Sequence, residues 1–178
     1  MKYLIISDIH GDSSYLKKVL LEVNQFDKLV ILGDILYHGP RNNLPQGYNP
    51  KEVIKILNNT KDKIIAVRGN CDAKVDLMVL DFPIDDNKWL DIKGTKILLT
   101  HGDVYSKHNL YQTDEEYVMI YGHYHINEIV SLKNVTCINL GSLSLPKDDL
   151  HSYGIMDEKG FRSYNLENNI VICSLEFK

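Results

Sequence analysis

The chain opens with "KYLIISDIHGD" (residues 2–12), an apolar run that breaks off into Asp8 and His10. The run is short and β-branched, which reads as a strand, so the first strand delivers a carboxylate and an imidazole to its own end. The same phrase recurs downstream. Apolar runs at 28–32, 63–67 and 96–99 lead into Gly33-Asp34, Gly69-Asn70-Cys71-Asp72 and His101-Gly102, and a later run leads into Gly122-His123-Tyr124-His125. Continuous apolar character implies strands covered on both faces.

The segments between these runs are helical in period. Leu16, Val19, Leu20 and Val23 repeat at i, i+3, i+4 and i+7, with Ser13 or Ser14 available as N-cap. Before the third strand, Asn49-Pro50-Lys51-Glu52 offers a capping residue, a proline at the first helical position and a glutamate able to reach back; Val53, Ile54 and Leu57 then form a stripe. The β-α-β-α-β order predicts a parallel sheet whose functional groups collect beyond the carboxyl ends of its strands. After about residue 80 the pattern changes to closely spaced strands near 88–92, 95–100, 117–121, 126–131, 135–139, 152–156, 160–166 and 170–175. Turn signals such as Lys93-Gly94, Glu158-Lys159-Gly160 and Asn168-Asn169 separate several of them, so a second, largely antiparallel sheet is expected. Residues 37–49 carry Gly39, Pro40, Asn42, Asn43, Pro45 and Gly47, too many breakers for regular structure, and long ordered loops are often functional.

Composition bounds the function. A chain of 178 residues, 44% apolar and 25% charged, fits one domain over 1–178 with a substantial core. A formal charge of -4 with scattered lysines gives no footprint for long nucleic acid. No stretch approaches the ~18 apolar residues of a membrane span, and the apolar run after Met1-Lys2 is too short for a signal peptide, so a cytoplasmic protein is expected. Cys71, Cys137 and Cys173 are an odd number without a C-x-x-C pair, which suits reduced thiols.

Taken singly, each polar strand end has a structural explanation: Asp starts turns and caps helices, Asn adopts left-handed turns, and a lone His is often just hydrogen-bonded. Together, two aspartates, an asparagine and four histidines at the same kind of position would be a crowd of unpaired polar groups unless something neutralised them. A metal pair does so. Imidazole, carboxylate and amide oxygen form a mixed ligand set without thiolate, which suits Mn²⁺, Fe²⁺, Co²⁺, Ni²⁺ or Zn²⁺ better than Ca²⁺ or Cu⁺. Seven ligands are too many for one ion, and a pair about 3.5–4 Å apart sharing a carboxylate accommodates them. In an extended Gly122-His123-Tyr124-His125 segment the two histidines face the same side and can reach adjacent metals; Asp8 and His10 share that spacing and can likewise converge on one ion.

In this order, Asp-x-His, Gly-Asp, Gly-Asn-Cys-Asp, His-Gly and Gly-His-x-His resemble the calcineurin-like metallophosphoesterases. "LGDILYHGPRNNLPQGY" (32–48), "VRGNCD" (67–72) and "GSLSLPK" (141–147) look like the YfcE-type bacterial phosphodiesterases within that superfamily. The resemblance implies a four-layer α/β sandwich, two mixed β-sheets packed face to face and flanked by helices. It implies two divalent ions, Mn²⁺ foremost, one on Asp8, His10, Asp34 and His125, the other on Asp34, Asn70, His101 and His123, with Asp34 bridging. The chemistry expected is in-line attack of a metal-activated hydroxide on a small phosphodiester, with Asp34, Asn70 and His101 among the residues at the reacting centre. Arg41 is a candidate for binding a non-bridging phosphate oxygen bidentately, and His38 for contacting the leaving group.

Three positions depart from the wider family pattern. Cys71 stands where many members carry a proton-donating histidine, and as a wall residue it favours substrates with good leaving groups. Tyr124 replaces a frequent threonine and is expected to narrow or stack over the pocket, and Asp103 replaces a histidine found in close relatives. The alternatives carried are a phosphomonoesterase using the same site and a non-catalytic protein-interaction module on the same fold. A homo-oligomer through an exposed strand edge is compatible with the sequence, though no motif specifies it.

Overall fold

The computed structural model describes residues 1–177. In chain order the elements are β1 (Tyr3–Ile6), α1 (Ser13–Glu22), β2 (Lys28–Ile31), α2 (Pro50–Asn58), β3 (Ile64–Val67), β4 (Ile84–Asp85), β5 (Lys88–Ile92), β6 (Thr95–Leu99), β7 (Tyr117–Tyr121), β8 (Asn127–Leu132), β9 (Val135–Leu140), β10 (Ser152–Asp157), β11 (Gly160–Asn165) and β12 (Val171–Glu176). They form a seven-stranded sheet, β12-β11-β10-β1-β2-β3-β4, and a five-stranded sheet, β5-β6-β7-β9-β8.

The apolar runs explain the layering. Alternate residues of β1 and β2 serve opposite faces: Leu4, Ile6, Leu29 and Ile31 pack on Leu16, Val19, Val53 and Leu57 of the two helices. Ile5 and Val30 instead meet Ile97, Leu99, Val118, Ile120 and Ile138 of the other sheet. The expected pair of mixed sheets packed face to face with flanking helices is what the chain forms. Both α-helices lie on the seven-stranded side; on the outer face of the five-stranded sheet, loop residues Tyr105, Leu110 and Tyr111 pack over Leu98, Met119 and Cys137.

The parallel core β1-β2-β3 follows the sequence reading, with Tyr3 opposite Lys28 and Leu29 opposite Ile64. The reading of the C-terminal half needs two corrections. Strands β10, β11 and β12 do not join the second sheet; β10 pairs antiparallel with β1 and extends the first. The second sheet is mixed rather than largely antiparallel, because β6-β7 and β7-β9 run parallel. Turn signals identify hairpin partners but not the sheet a hairpin joins, and the long connector 100–116 lets β7 return parallel to β6.

Asp12 caps α1, not Ser13 or Ser14. Its Oδ1 accepts from the backbone N–H of Ser14 at 2.8 Å and of Tyr15 at 3.1 Å, and its Oδ2 from that of Gly47 at 3.2 Å. Asn49 caps α2, accepting from the N–H of Glu52 at 3.2 Å, while the Glu52 side chain pairs with Lys17 at 3.0 Å instead of reaching back. One aspartate thus ties the first helix to the long loop. Asp12→Ala should lower unfolding free energy by about 1–2 kcal/mol, measured by urea denaturation, because it removes a helix cap and leaves the Gly47 N–H unpaired; a midpoint unchanged from wild type would contradict this role.

Candidate metal centre

The backbone at the strand ends is as unusual as the side chains it carries. Past β1 and β2 the two chains stay paired, with the Asp8 N–H donating to the Gly33 carbonyl at 3.1 Å and the His10 N–H to the Asp34 carbonyl at 2.8 Å. Asp8 (φ 54°), His10 (49°), Asp34 (54°), His123 (65°) and His125 (60°) all lie in the left-handed region. That conformation costs a non-glycine residue about 1 kcal/mol or more, and Asp, Asn and His tolerate it best. The extended geometry expected for 8–10 and 123–125 is therefore wrong, although the side chains still converge.

Surrounding groups hold these turns. The Ser142 hydroxyl donates to the Asp8 carbonyl at 2.9 Å, and the Ser144 hydroxyl lies 3.0 Å from that oxygen and 2.8 Å from the Ile9 carbonyl. Ser7 donates to Asp8 Oδ2 at 2.6 Å, and the His123 N–H donates to the same oxygen at 3.0 Å. Two glycines make the approach close enough: a Cβ on Gly122 would sit 2.7 Å from that of Ser7, and one on Gly69 would sit 2.9 Å from Asp34 Cγ.

The donor atoms fall into two groups. In the first, His125 Nε2 lies 3.2 Å from Asp8 Oδ1, and His10 Nε2 lies 3.7 Å from both Asp8 Oδ1 and Asp34 Oδ2, and 3.3 Å from His125 Nε2. In the second, His101 Nε2 lies 3.5 Å from Asp34 Oδ1, 3.1 Å from Asn70 Oδ1 and 3.2 Å from His123 Nδ1. Asp34 offers one carboxylate oxygen to each. All seven residues singled out in the sequence thus meet at one place.

Tautomers decide what the groups can hold. His10, His101 and His125 each place Nδ1 on a backbone carbonyl, of Tyr37 at 2.8 Å, Leu32 at 2.7 Å and Leu145 at 2.6 Å. A carbonyl only accepts, so each Nδ1 carries the proton and each neutral ring turns an Nε2 lone pair inward. Those lone pairs face one another and carboxylate oxygens, while the buried Asp8 Oδ1 has no hydrogen-bond partner among the described residues. Only positive charge makes such an array stable. Protons supply part of it: burial works against charge on His101, but the hydrogen bond to Asp34 and the charges of Asp8 and Asp34 outweigh burial and push it up to about 10. Burial likewise works against Asp8 ionisation, yet the surrounding histidines hold it well below the usual carboxylate range. Divalent cations fit the same donors, since they use inward lone pairs that a proton on His101 leaves facing one another.

The remaining candidates are distributed unevenly. Arg41 is exposed and lines a cleft of about 680 Å³ over the centre, together with Tyr37, Asn42, Cys71, His123 and Lys147. His38 is not among the lining residues; its ring packs edge-on between Tyr37 and Tyr48, and its carbonyl accepts from the Asn42 side chain at 2.8 Å. Tyr124 does not narrow the cleft either: it packs edge-to-face on His123, with its hydroxyl 3.2 Å from the Ser106 hydroxyl. Cys71 is a wall residue whose thiol is pushed up to about 12 by burial and then by Asp34 and Asp72.

The model of the calcineurin-like phosphoesterase superfamily domain matches residues 1–160. The chain belongs to that superfamily. It is 39% identical over 180 residues to the phosphodiesterase YfcE of Escherichia coli K12, covering 98% of this chain and 97% of that protein. The solved structure of the E. coli phosphoesterase superposes with a TM-score of 0.94 at 38% identity over the whole of both chains. An archaeal phosphodiesterase structure shares 25% identity and a TM-score of 0.62, over 97% of this chain and all of the other. Vacuolar Protein Sorting 29 of Cryptosporidium parvum shares the fold, with a TM-score of 0.64 at 16% identity over 99% of this chain and 97% of that one.

Asp72 is a site residue that sequence reasoning passed over, although it closes the Gly-Asn-Cys-Asp stretch. Its carboxylate accepts from the N–H groups of Asp34 at 2.9 Å, Ile35 at 2.7 Å and Gly69 at 2.8 Å, locking the loop after β2 to the loop after β3. Burial pushes its carboxyl up to about 6 even though those donors pull the other way. Asp72→Asn cannot accept on both sides, because its amide nitrogen only donates. It should cost about 2 kcal/mol in urea denaturation and weaken divalent-metal binding in calorimetry; unaltered metal affinity would show that this lock does not position Asp34.

Proposed function

We propose that the protein is a binuclear-metal phosphodiesterase acting on small phosphodiesters, with Asp8, His10, Asp34 and His125 holding one divalent ion and Asp34, Asn70, His101 and His123 the other. What carries the reading is the set of imidazole lone pairs locked inward by backbone carbonyls against two carboxylates. Two bound cations, Mn²⁺ foremost, would supply an activated water and neutralise charge growing on the phosphoryl oxygens.

The chain's own residues do the rest. The carbonyls of Tyr37, Leu32 and Leu145 fix three rings, Ser142 and Ser144 fix the turn that aims Asp8 and His10, and Asp72 fixes the backbone of Asp34. Arg41, exposed in the cleft, presents a planar fork to a non-bridging phosphate oxygen. His38, packed between two tyrosines, orders the loop that carries Arg41 rather than meeting the leaving group. The Cys71 thiol is a poor proton donor near neutrality, so alcohols that leave readily as anions are the better substrates.

Two measurements test this. Metal-stripped protein restored separately with Mn²⁺, Zn²⁺, Fe²⁺ or Ni²⁺ should hydrolyse bis(p-nitrophenyl) phosphate faster than p-nitrophenyl phosphate. Asp34→Asn and His123→Ala should lower kcat at least about 100-fold with the far-UV circular dichroism unchanged, since even outer partners of metal ligands are worth 10–100-fold. Turnover unaffected by both substitutions would refute the assignment, and faster hydrolysis of the monoester would make the protein a phosphomonoesterase.

A further measurement follows the ring proton. Because His101 is held protonated at pH 7, loading the metal-free protein must expel that proton. Calorimetry in buffers of different ionisation enthalpy should show proton release on Mn²⁺ binding, and affinity should tighten as pH rises from about 6 toward about 9. Proton-neutral, pH-independent binding would place the metal away from His101.

A further inference from the structure

The cleft carries a cation that the reaction as described does not use. Lys147 closes the "GSLSLPK" loop, and its main chain is fixed: its N–H donates to the His125 carbonyl at 2.8 Å, and Pro146 restrains the residue before it. Its side chain is exposed, lines the cleft with His123 and His125, and has no ion-pair partner among the described residues. The neighbouring acid, Asp148, is engaged elsewhere, accepting from the backbone and side chain of Asn127 at 2.7 and 3.0 Å. Arg41, on the same lining, likewise has no ion-pair partner among the described residues.

Charge counting shows what is left over. On the ligand assignment proposed above, Asp8 and Asp34 contribute two negative charges against four from two divalent ions. A hydroxide nucleophile and a monoanionic diester supply the other two, and the centre is then neutral without Arg41 or Lys147. Among the described residues no carboxylate is ion-paired with either of these two cations. Asp72 is spent on three backbone N–H groups, and Asp103 is exposed outside the cleft lining. The cleft, about 680 Å³, also has room beyond a simple diester, and Tyr37, 42% exposed, gives it an aromatic face.

We infer that Lys147 is a specificity residue that receives a second anionic group, so that the preferred substrate is a phosphodiester bearing a further phosphate. The inference rests on the phosphodiesterase reading. A simple diester occupies the metal centre and Arg41; a substrate with a second phosphate also engages the ammonium beside His125. Lysine suits this task because a flexible point charge tolerates variation in where that phosphate lies.

The test compares thymidine 5′-(p-nitrophenyl phosphate) with the same diester carrying a 3′-phosphate, using Mn²⁺-loaded protein. The 3′-phosphate should raise kcat/KM about fivefold or more, the scale of one partly exposed ion pair. Lys147→Ala should erase that gain while leaving the simple diester within about twofold, and Lys147→Arg should keep it. Calorimetry should show thymidine 3′,5′-bisphosphate binding more tightly than thymidine 5′-monophosphate, with the difference lost in Lys147→Ala. Equal kcat/KM for the two diesters in wild type, or equal slowing of both by Lys147→Ala, overturns the inference and leaves the phosphodiesterase reading standing. Failure to hydrolyse either diester overturns both.

Discussion

The structure depends on an electrostatic conflict that the fold holds in place. Nitrogen and oxygen lone pairs from seven side chains converge within contacts of 3.1–3.7 Å, and three of the four imidazoles are locked by carbonyls so that they cannot turn away. Left alone, this arrangement would repel itself apart. It persists because each donor sits on backbone that is pinned independently, and because positive charge at the centre converts the repulsion into attraction. Binding energy that a flexible site would spend on ordering its ligands is here supplied by folding.

The pinning follows from topology. β1 lies between β2 on one side and β10 on the other, so its end is fixed from both edges, and the loop leading from β9 into β10 passes directly over Asp8. That loop contributes the Ser142 and Ser144 hydroxyls and the Leu145 carbonyl, which together hold residues of the first and fifth motifs. Were β10–β12 part of the five-stranded sheet, this buttress could not reach the centre. The same loop ends in Lys147, so the segment that orders the ligands also sets one wall of the cleft.

Much of this was legible in the sequence, for a definite reason. Continuous apolar runs such as Leu29-Val30-Ile31 mark strands covered on both faces whatever their neighbours do, and the residue types at their ends name the chemistry. What was not legible depends on relations between distant segments. Glu158-Lys159-Gly160 announces a turn, but nothing in it says that the hairpin it closes will sit beside β1. Asp12 and Asp72 look like ordinary turn residues until their carboxylates are seen gathering backbone N–H groups, two of Asp12's three from the helix it caps and the third from Gly47, and Asp72's from Asp34 and Ile35 in one loop and Gly69 in another. Tyr124 read as a pocket residue by its position between two ligands, yet its ring turns to the outer face of the second sheet.

The left-handed backbone explains why the motifs read ambiguously one at a time. Asp, Asn and His are common in turns because they tolerate φ near +60°, and five of the seven converging residues occupy that conformation. The turn reading of each residue and the ligand reading are therefore not rivals: the property that makes these side chains unremarkable at strand ends is the one the centre needs. A left-handed residue turns the chain sharply, so Asp8 and His10, two residues apart, reach one donor group, while His123 and His125, at the same spacing, reach two. Spacing alone cannot separate those outcomes. The partner that each ring finds does, since the Leu145 carbonyl draws His125 toward Asp8 while His123 turns Nδ1 to His101.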